Sequence, residues 1–203
     1  NRIISVDPHA RTARVEAGVV PGALNAVLAE YGLRFGPDPS THARCTIGGM
    51  IGNDACGSHS VAWGRTSDNV LELDVLCYDG TRMTLGPMSQ SELDAVISRG
   101  GRPGRIHAAL RGLAEEHQAV LRSELGRFSR QVSGYALHHL LPENGCNAAR
   151  ALVGSEGTCV IVLAATIKLV PLPQCQRLIV VGFPDSIAAA DAVPAILEHK
   201  PLT

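Results

Sequence analysis

The sequence predicts an α+β fold, a mixed, largely antiparallel sheet flanked by helices, and three kinds of observation predict it. Two stretches alternate apolar and polar residues around a turn, Asn1 to Val20 and Asn69 to Leu85. Two others space apolar residues for a helix face: Leu24, Val27, Leu28 and Tyr31, and then Ile106, Leu110, Leu113, His117 and Val120 or Leu121. A run from Thr158 to Val170 is β-branched and apolar enough to be a buried strand.

In chain order, the first hairpin places Ile4 and Val6 before a Pro8-His9-Ala10 turn, and Ala13, Val15 and Ala17 after it. Pro21 suits the first turn of a helix, and Gly32 its stop. From Gly36 to Gly64 all periodicity gives way to glycine, proline and small polar residues, a long loop whose length alone suggests function. Asp79-Gly80 is the two-residue turn of the second hairpin, and a polar spacer runs from about Gly86 to Pro103. The second helix ends before Gly126, and a third, short one is expected from Ala148 to Val153 with Gly154 as its C-terminal cap. Pro171 and Pro173 halt the buried strand, Leu178 to Phe183 suggests another strand, and Ile187 to His199 a last helix. No internal repeat or low-complexity tract is present.

Composition narrows the class of partner. Eighteen Lys and Arg against 19 Asp and Glu leave a net charge of −1, which offers no footprint for nucleic acid or an anionic membrane and favours a small molecule. The longest apolar stretch, Cys159 to Ile167, is far short of the roughly 20 residues a bilayer-crossing helix needs. The six cysteines Cys45, Cys56, Cys77, Cys146, Cys159 and Cys175 contain no C-x-x-C pair, so a zinc or iron–sulfur site is not expected here and most should be buried thiols. No N-x-[ST] acceptor occurs, so nothing supports secretion and a reducing cytosol is the default.

Within the long loop, Gly48-Gly49-Met50-Ile51-Gly52-Asn53 would let backbone N–H groups approach phosphate oxygens without side chains in the way. The run does not satisfy G-x-G-x-x-G. Gly52 to Gly57 has P-loop spacing, but Ser58-His59 stand where Lys-Ser or Lys-Thr is required. From spacing alone, a succession of tight turns explains these glycines equally well.

Order and wording add more. Pro37-Asp38-Pro39-Ser40-Thr41, Cys45-Thr46-Ile47-Gly48-Gly49-Met50-Ile51-Gly52-Asn53, Ala55-Cys56-Gly57-Ser58 and Trp63-Gly64 together resemble the second flavin-binding stretch of the vanillyl-alcohol-oxidase (PCMH-type) FAD family, also called FAD-linked oxidases. Ala151-Leu152-Val153-Gly154-Ser155-Glu156-Gly157-Thr158, an apolar strand and Lys168-Leu169-Val170-Pro171 resemble a second signature of that family. The nearest branch is that of the glycolate, D-lactate and D-2-hydroxyglutarate dehydrogenases. Arg130 to Tyr135 and Leu141-Pro142-Glu143-Asn144-Gly145 are similar to its large, multidomain bacterial members.

The resemblance implies a PCMH-type FAD-binding domain, mainly its larger subdomain, over residues 1–173, and the truncated beginning of a substrate or cap domain over 174–203. It implies FAD as cofactor, lined by Pro39, Ser40, Thr41, Thr46, Gly48 and Gly49, flanked by Asn53, Gly57, Ser58, Gly64 and Asp68, and met by Glu156, Gly157 and Ile161. The activity implied is oxidation of a D-2-hydroxyacid by hydride transfer to flavin, with electrons passed to an acceptor or an iron–sulfur module elsewhere in the parent protein. Alternatives are an NADPH-fed reductase related to UDP-N-acetylenolpyruvoylglucosamine reductase, and a flavin-free scaffold module. No catalytic or metal residue is assigned, because the family's histidine-rich metal site belongs to the cap domain and no H-x-x-H cluster appears. Lacking the family's earlier glycine-rich loop, the isolated chain is expected to bind FAD weakly and to be inactive. Its location is expected to be cytoplasmic, with any peripheral contact to the inner membrane made by other parts of the protein.

Two positions depart from the family pattern: Asp54 stands where Asn or Thr is usual, and Trp63 where Tyr is usual. A carboxylate near a diphosphate is repulsive, so Asp54 should point away. His59 beside Ser58 and Cys56 reads as a polar loop residue, since a nucleophile and its base meet in space rather than in sequence. His138 and His139 should point apart, in solvated or capping roles. Glu156 more readily accepts backbone or ribose hydrogen bonds than acts as acid or base, and Arg130 and Tyr135 are divided between the flavin edge and a surface loop.

Overall fold

The computed structural model describes residues 1–125, 127, 128, 131, 132 and 134–203. Arg130 lies outside the described residues. The chain builds one antiparallel sheet around the apolar run read from the sequence. That run is β6 (Val160–Pro171), and β2 (Thr12–Glu16) and β4 (Val70–Cys77) pair on either side of it. Beyond them stand β1 (Ile3–Asp7) and β5 (Arg82–Leu85), in the order β1-β2-β6-β4-β5. The short β3 (Leu33–Phe35) pairs with the far end of β6. Every pairing among the described residues is antiparallel.

One face of the sheet carries the core. Val15, Phe35, Leu73, Val75, Ile167 and Leu169 are buried there with Leu24 and Leu28 of α1 (Pro21–Leu28) and Ile47, Met50 and Ile51 of α2 (Ile47–Gly52). The opposite face is charged: Arg14 of β2 pairs with Asp74 of β4, which also accepts from Thr84 Oγ1 at 2.8 Å. Alternation of period two puts apolar and charged residues on opposite sides.

Both predicted hairpins, α1, α8 (Ala148–Leu152) and α9 (Ser186–Glu198) stand where expected. Several expectations need correction. The loop from Gly36 to Gly64 is interrupted by α2 and α3 (Ser60–Trp63), and α4 (Thr66–Asn69) follows it. The spacer after Gly86 contains α5 (Gln90–Arg99), started by a capping box in which Ser89 Oγ accepts from Glu92 N and Ser89 N donates to the Glu92 carboxylate. The second helix is divided at His117 into α6 (Gly101–Glu116) and α7 (Gln118–Ser123), and its stripe Ile106, Leu110 and Leu113 is only half-buried, while Val120 is exposed. Val27 and Tyr31 are exposed too, so α1 buries a narrower stripe than its spacing suggested. Leu178 to Phe183 forms no strand and stands open to solvent, with Val180 84% exposed, because no sheet edge among the described residues receives it. Of the cysteines only Cys146 is buried, and Cys159 and Cys175 are exposed.

Candidate functional site

A short helix and turns carry the glycine-rich segment, tied by the Thr46 side chain and by backbone bonds. The Thr46 hydroxyl caps α2, accepting the Gly49 N–H at 3.1 Å. Ile47 N donates to Val19 O at 2.8 Å and Gly48 N to Ala17 O at 2.7 Å, which ties the start of α2 to the end of β2. A Cβ at Gly48 would lie 2.9 Å from Ala17 Cβ, so glycine there permits close packing, whereas Gly49 is exposed and a Cβ would meet only Thr46 Oγ1, at 3.3 Å. The two glycines therefore differ: one closes the fold and the other leaves space.

The far end of α2 meets the second motif. Gly154 N donates to Ile51 O and Glu156 N to Gly52 O, both at 2.8 Å, so the bend after α8 satisfies carbonyls that the end of α2 leaves open. Gly154 and Gly157 take left-handed φ values of 88° and 73°, and Glu156 a φ of 51°, which side chains rarely adopt. Thr158 Oγ1 donates to Ser155 O at 2.6 Å, and the Tyr135 hydroxyl lies 2.8 Å from that Oγ1. The two motifs, about a hundred residues apart, are thus joined backbone to backbone.

Beside α2, on the first motif, opens a groove of about 570 Å³, lined among others by Pro39, Thr41, Thr46, Gly49 and Asn53 and by no residue of the Gly154–Thr158 bend. The remaining expected contacts are not among its lining residues. Gly48 is turned to the sheet, exposed Ser40 stands between the lining residues Pro39 and Thr41, and exposed Ser58 follows two positions after Cys56. A Cβ at Gly57 would stand 2.2 Å from Asp38 O. Gly64, at a φ of 75°, abuts Asp68, which accepts from Arg65 N and from Arg150 Nη2 at 2.6 Å. Glu156 and Gly157 lie at the end of α2, and Ile161 on β6 is half exposed. Sequence reasoning passed over Arg44, Cys45 and Cys56, which also line the groove. Arg44 stands between the two halves of the first motif and has no ion-pair partner among the described residues, so a cation adjoins hydroxyls and backbone here.

Asp54, the departure from the family pattern, is directed inward. Its buried carboxylate accepts from Ser67 N at 2.8 Å and Ser67 Oγ at 3.1 Å and lies 3.3 Å from Arg65. The charge is answered inside the fold by Arg65, which offsets the repulsion expected of a carboxylate that also lines the groove. The histidine pair corrects its expectation: the rings of His138 and His139 lie 4.1 Å apart and His139 is buried, because both belong to a 3-10 turn packed on α8. Burial first, and then the Arg150 guanidinium, press the His139 imidazole down to about 3, while burial and Arg150 also lower His138. His59 is likewise no free loop residue, since it contacts Asp38 and stacks on Trp63. No cluster of three metal-ligating side chains occurs among the described residues.

Comparison with known proteins agrees with this geometry. Residues 1–86 match the family model of an FAD binding domain. The chain is 34% identical, along its whole length, to a D-2-hydroxyglutarate dehydrogenase from Pseudomonas putida, of which it spans 20%. It is 38% identical over 93% of its length to the GlcD subunit of glycolate oxidase from Escherichia coli, spanning 27% of that protein. Among solved structures, an alkyldihydroxyacetonephosphate synthase superposes with a TM-score of 0.52 and 20% identity over 86% of this chain and 22% of that one, a likeness of fold. The chain thus spans about a fifth of the length of the curated D-2-hydroxyglutarate dehydrogenases it matches. On the motifs, the family model over residues 1–86 and these relatives together, the chain is similar to FAD-linked oxidases in their FAD-binding domain.

Proposed function

We propose that the groove lined by the loops flanking α2, whose far end the Gly154–Thr158 bend braces, holds an extended FAD, and that the protein oxidises a D-2-hydroxyacid of the glycolate, D-lactate or D-2-hydroxyglutarate kind. The observation that carries this is the junction of both motifs, Gly154 N to Ile51 O and Glu156 N to Gly52 O, beside one groove. The residues present fit a dinucleotide. Hydroxyls of Ser40, Thr41 and Ser58 offer donors, Gly49 keeps a side chain from the groove, and Arg44 offers a positive charge to a diphosphate. Gly48, Gly57 and Gly64 serve by allowing the walls to pack, and Thr46 by capping α2. Asn53 lines the groove, and Asp68, Glu156, Gly157 and Ile161, which do not, are proposed as contacts on the resemblance of the motifs.

When bound, FAD accepts the hydride; this chain's part is to bind and orient it. No general base is assigned within these residues. Residues 1–173 constitute the FAD-binding unit, and 174–203 begin a second one, as the exposed apolar residues from Leu178 and the absence of buried residues on α9 suggest. Among the described residues no helix is long and apolar enough to cross a membrane. A cytoplasmic location, a small hydroxyacid partner and an electron acceptor or iron–sulfur module elsewhere in the protein form part of the same proposal. The test uses the protein expressed from its own gene. It should purify with bound flavin, and D-2-hydroxyglutarate, D-lactate or glycolate should bleach the flavin absorbance anaerobically. Bleaching by NADPH alone would transfer the protein to the reductase reading, and failure to bind FAD would leave a scaffold.

A further inference from the structure

Asp38 is the point at which the two loops of the groove are tied together. Its carboxylate accepts the His59 backbone N–H at 3.2 Å and meets the His59 ring at Nδ1. A carboxylate only accepts, so Nδ1 carries the proton and donates it. The imidazole is held on its face as well, stacked on Trp63 with centroids 5.0 Å apart and planes 16° from parallel. The Arg34 guanidinium of β3 lies over that indole, 4.8 Å from its centroid. The backbones pass so closely that a Cβ at Gly57 would stand 2.2 Å from Asp38 O. The His59 and Asp38 side chains are 21% and 17% exposed, so water is largely kept from the contact.

Neither residue lines the groove, but their neighbours do. Pro39 and Thr41 follow Asp38 on one loop, and Ala55 and Cys56 precede Gly57 and His59 on the other. We propose that His59 is a positioning residue, whose bond to Asp38 and stack on Trp63 fix the spacing of the two loops and so preset the groove for its dinucleotide. This rests on the FAD reading above. Without the bond the loops sample several spacings, and affinity falls by the fraction of molecules still competent, while the core beneath is untouched.

The test is a titration of FAD into the deflavinated protein, expressed from its own gene, beside the melting temperature of the apoprotein. His59→Phe keeps a ring for the stack but loses the bond, and should weaken the FAD Kd about tenfold with apoprotein melting unchanged. His59→Asn, whose amide nitrogen takes the place of Nδ1, should restore most of the affinity. Adding Asp38→Asn to His59→Phe should weaken binding no further, since both remove one bond. The proposal is overturned if His59→Phe binds FAD like the wild type, if the effects of the two substitutions multiply, or if weaker binding follows a lower apoprotein melting temperature that His59→Asn does not rescue. Wild-type protein that binds no FAD would overturn the FAD reading and this proposal together, whereas tight wild-type binding left intact by His59→Phe would overturn this one alone.

Discussion

Residues 36–69 and residues 172–183 both lie outside the sheet over most of their length, yet they behave oppositely. The first segment is rich in glycine and polar side chains and is nevertheless anchored: Asp38, Asp54, Thr46 and Asn69 each bond a neighbouring backbone group, and Thr66, Ser67 and Asn69 are buried. The second is apolar and finds nothing to cover it, with Leu178 88% and Ile179 80% exposed. Order in an irregular segment comes from satisfied polar groups, and hydrophobicity contributes only where a surface exists to receive it.

The contrast can be broken most strongly at Asp54. Replacing it with Ala leaves the buried Ser67 N–H without its acceptor and Arg65 with Asp68, 3.7 Å away, as its remaining carboxylate, and should cost roughly 3–5 kcal/mol in urea unfolding. A loss under about 1 kcal/mol would mean that the buried pair does not anchor this segment.

His139 comes next. Its imidazole is neutral in the fold because burial and Arg150 hold it near 3, while in the unfolded chain it takes a proton near the ordinary value of 6.5. The unfolded state therefore binds more protons as pH falls, so this contribution is whole above the unfolded value and is lost progressively on the way down towards the folded one. Between neutrality and the acid side, wild-type unfolding free energy should drop roughly 2–3 kcal/mol more than that of His139→Gln. Parallel pH profiles for the two proteins would show that the ring is hydrated in the fold.

Smallest should be the effect of Ile179→Ser in the chain of residues 1–203, within about 0.5 kcal/mol. A loss above about 1 kcal/mol would show that the segment packs after all, and the contrast would dissolve.

How much of this was legible depends on the range of the signal. Both hairpins and β6 followed from alternation and apolar run length, local properties of neighbouring residues. Helix α5 was legible too, in Ser89 and Glu92, and was obscured by the polar residues around it. Helix α2 was not, because three of its six residues are glycine and its stability comes from Thr46 and from packing on Ala17 rather than from propensity. The candidate contacts were named from motif order; Pro39, Thr41, Thr46, Gly49 and Asn53 among them line the groove, and Arg44, which lines it too, falls between motif positions.

The two hairpins, β6, the turn glycines and the likeness of two separated motifs to one cofactor class were legible in the order of residues along the chain, since each depends on side-chain size and spacing within a few positions, whereas β3 and the absence of a strand over residues 178–183 were not. The inward turn of Asp54, the burial of the adjacent histidines, the Asp38–His59 contact and the bare apolar stretch after Pro173 were decided only on folding. Each is a question of which distant group arrives, or fails to arrive, within a few ångströms, and a linear pattern does not contain that distance.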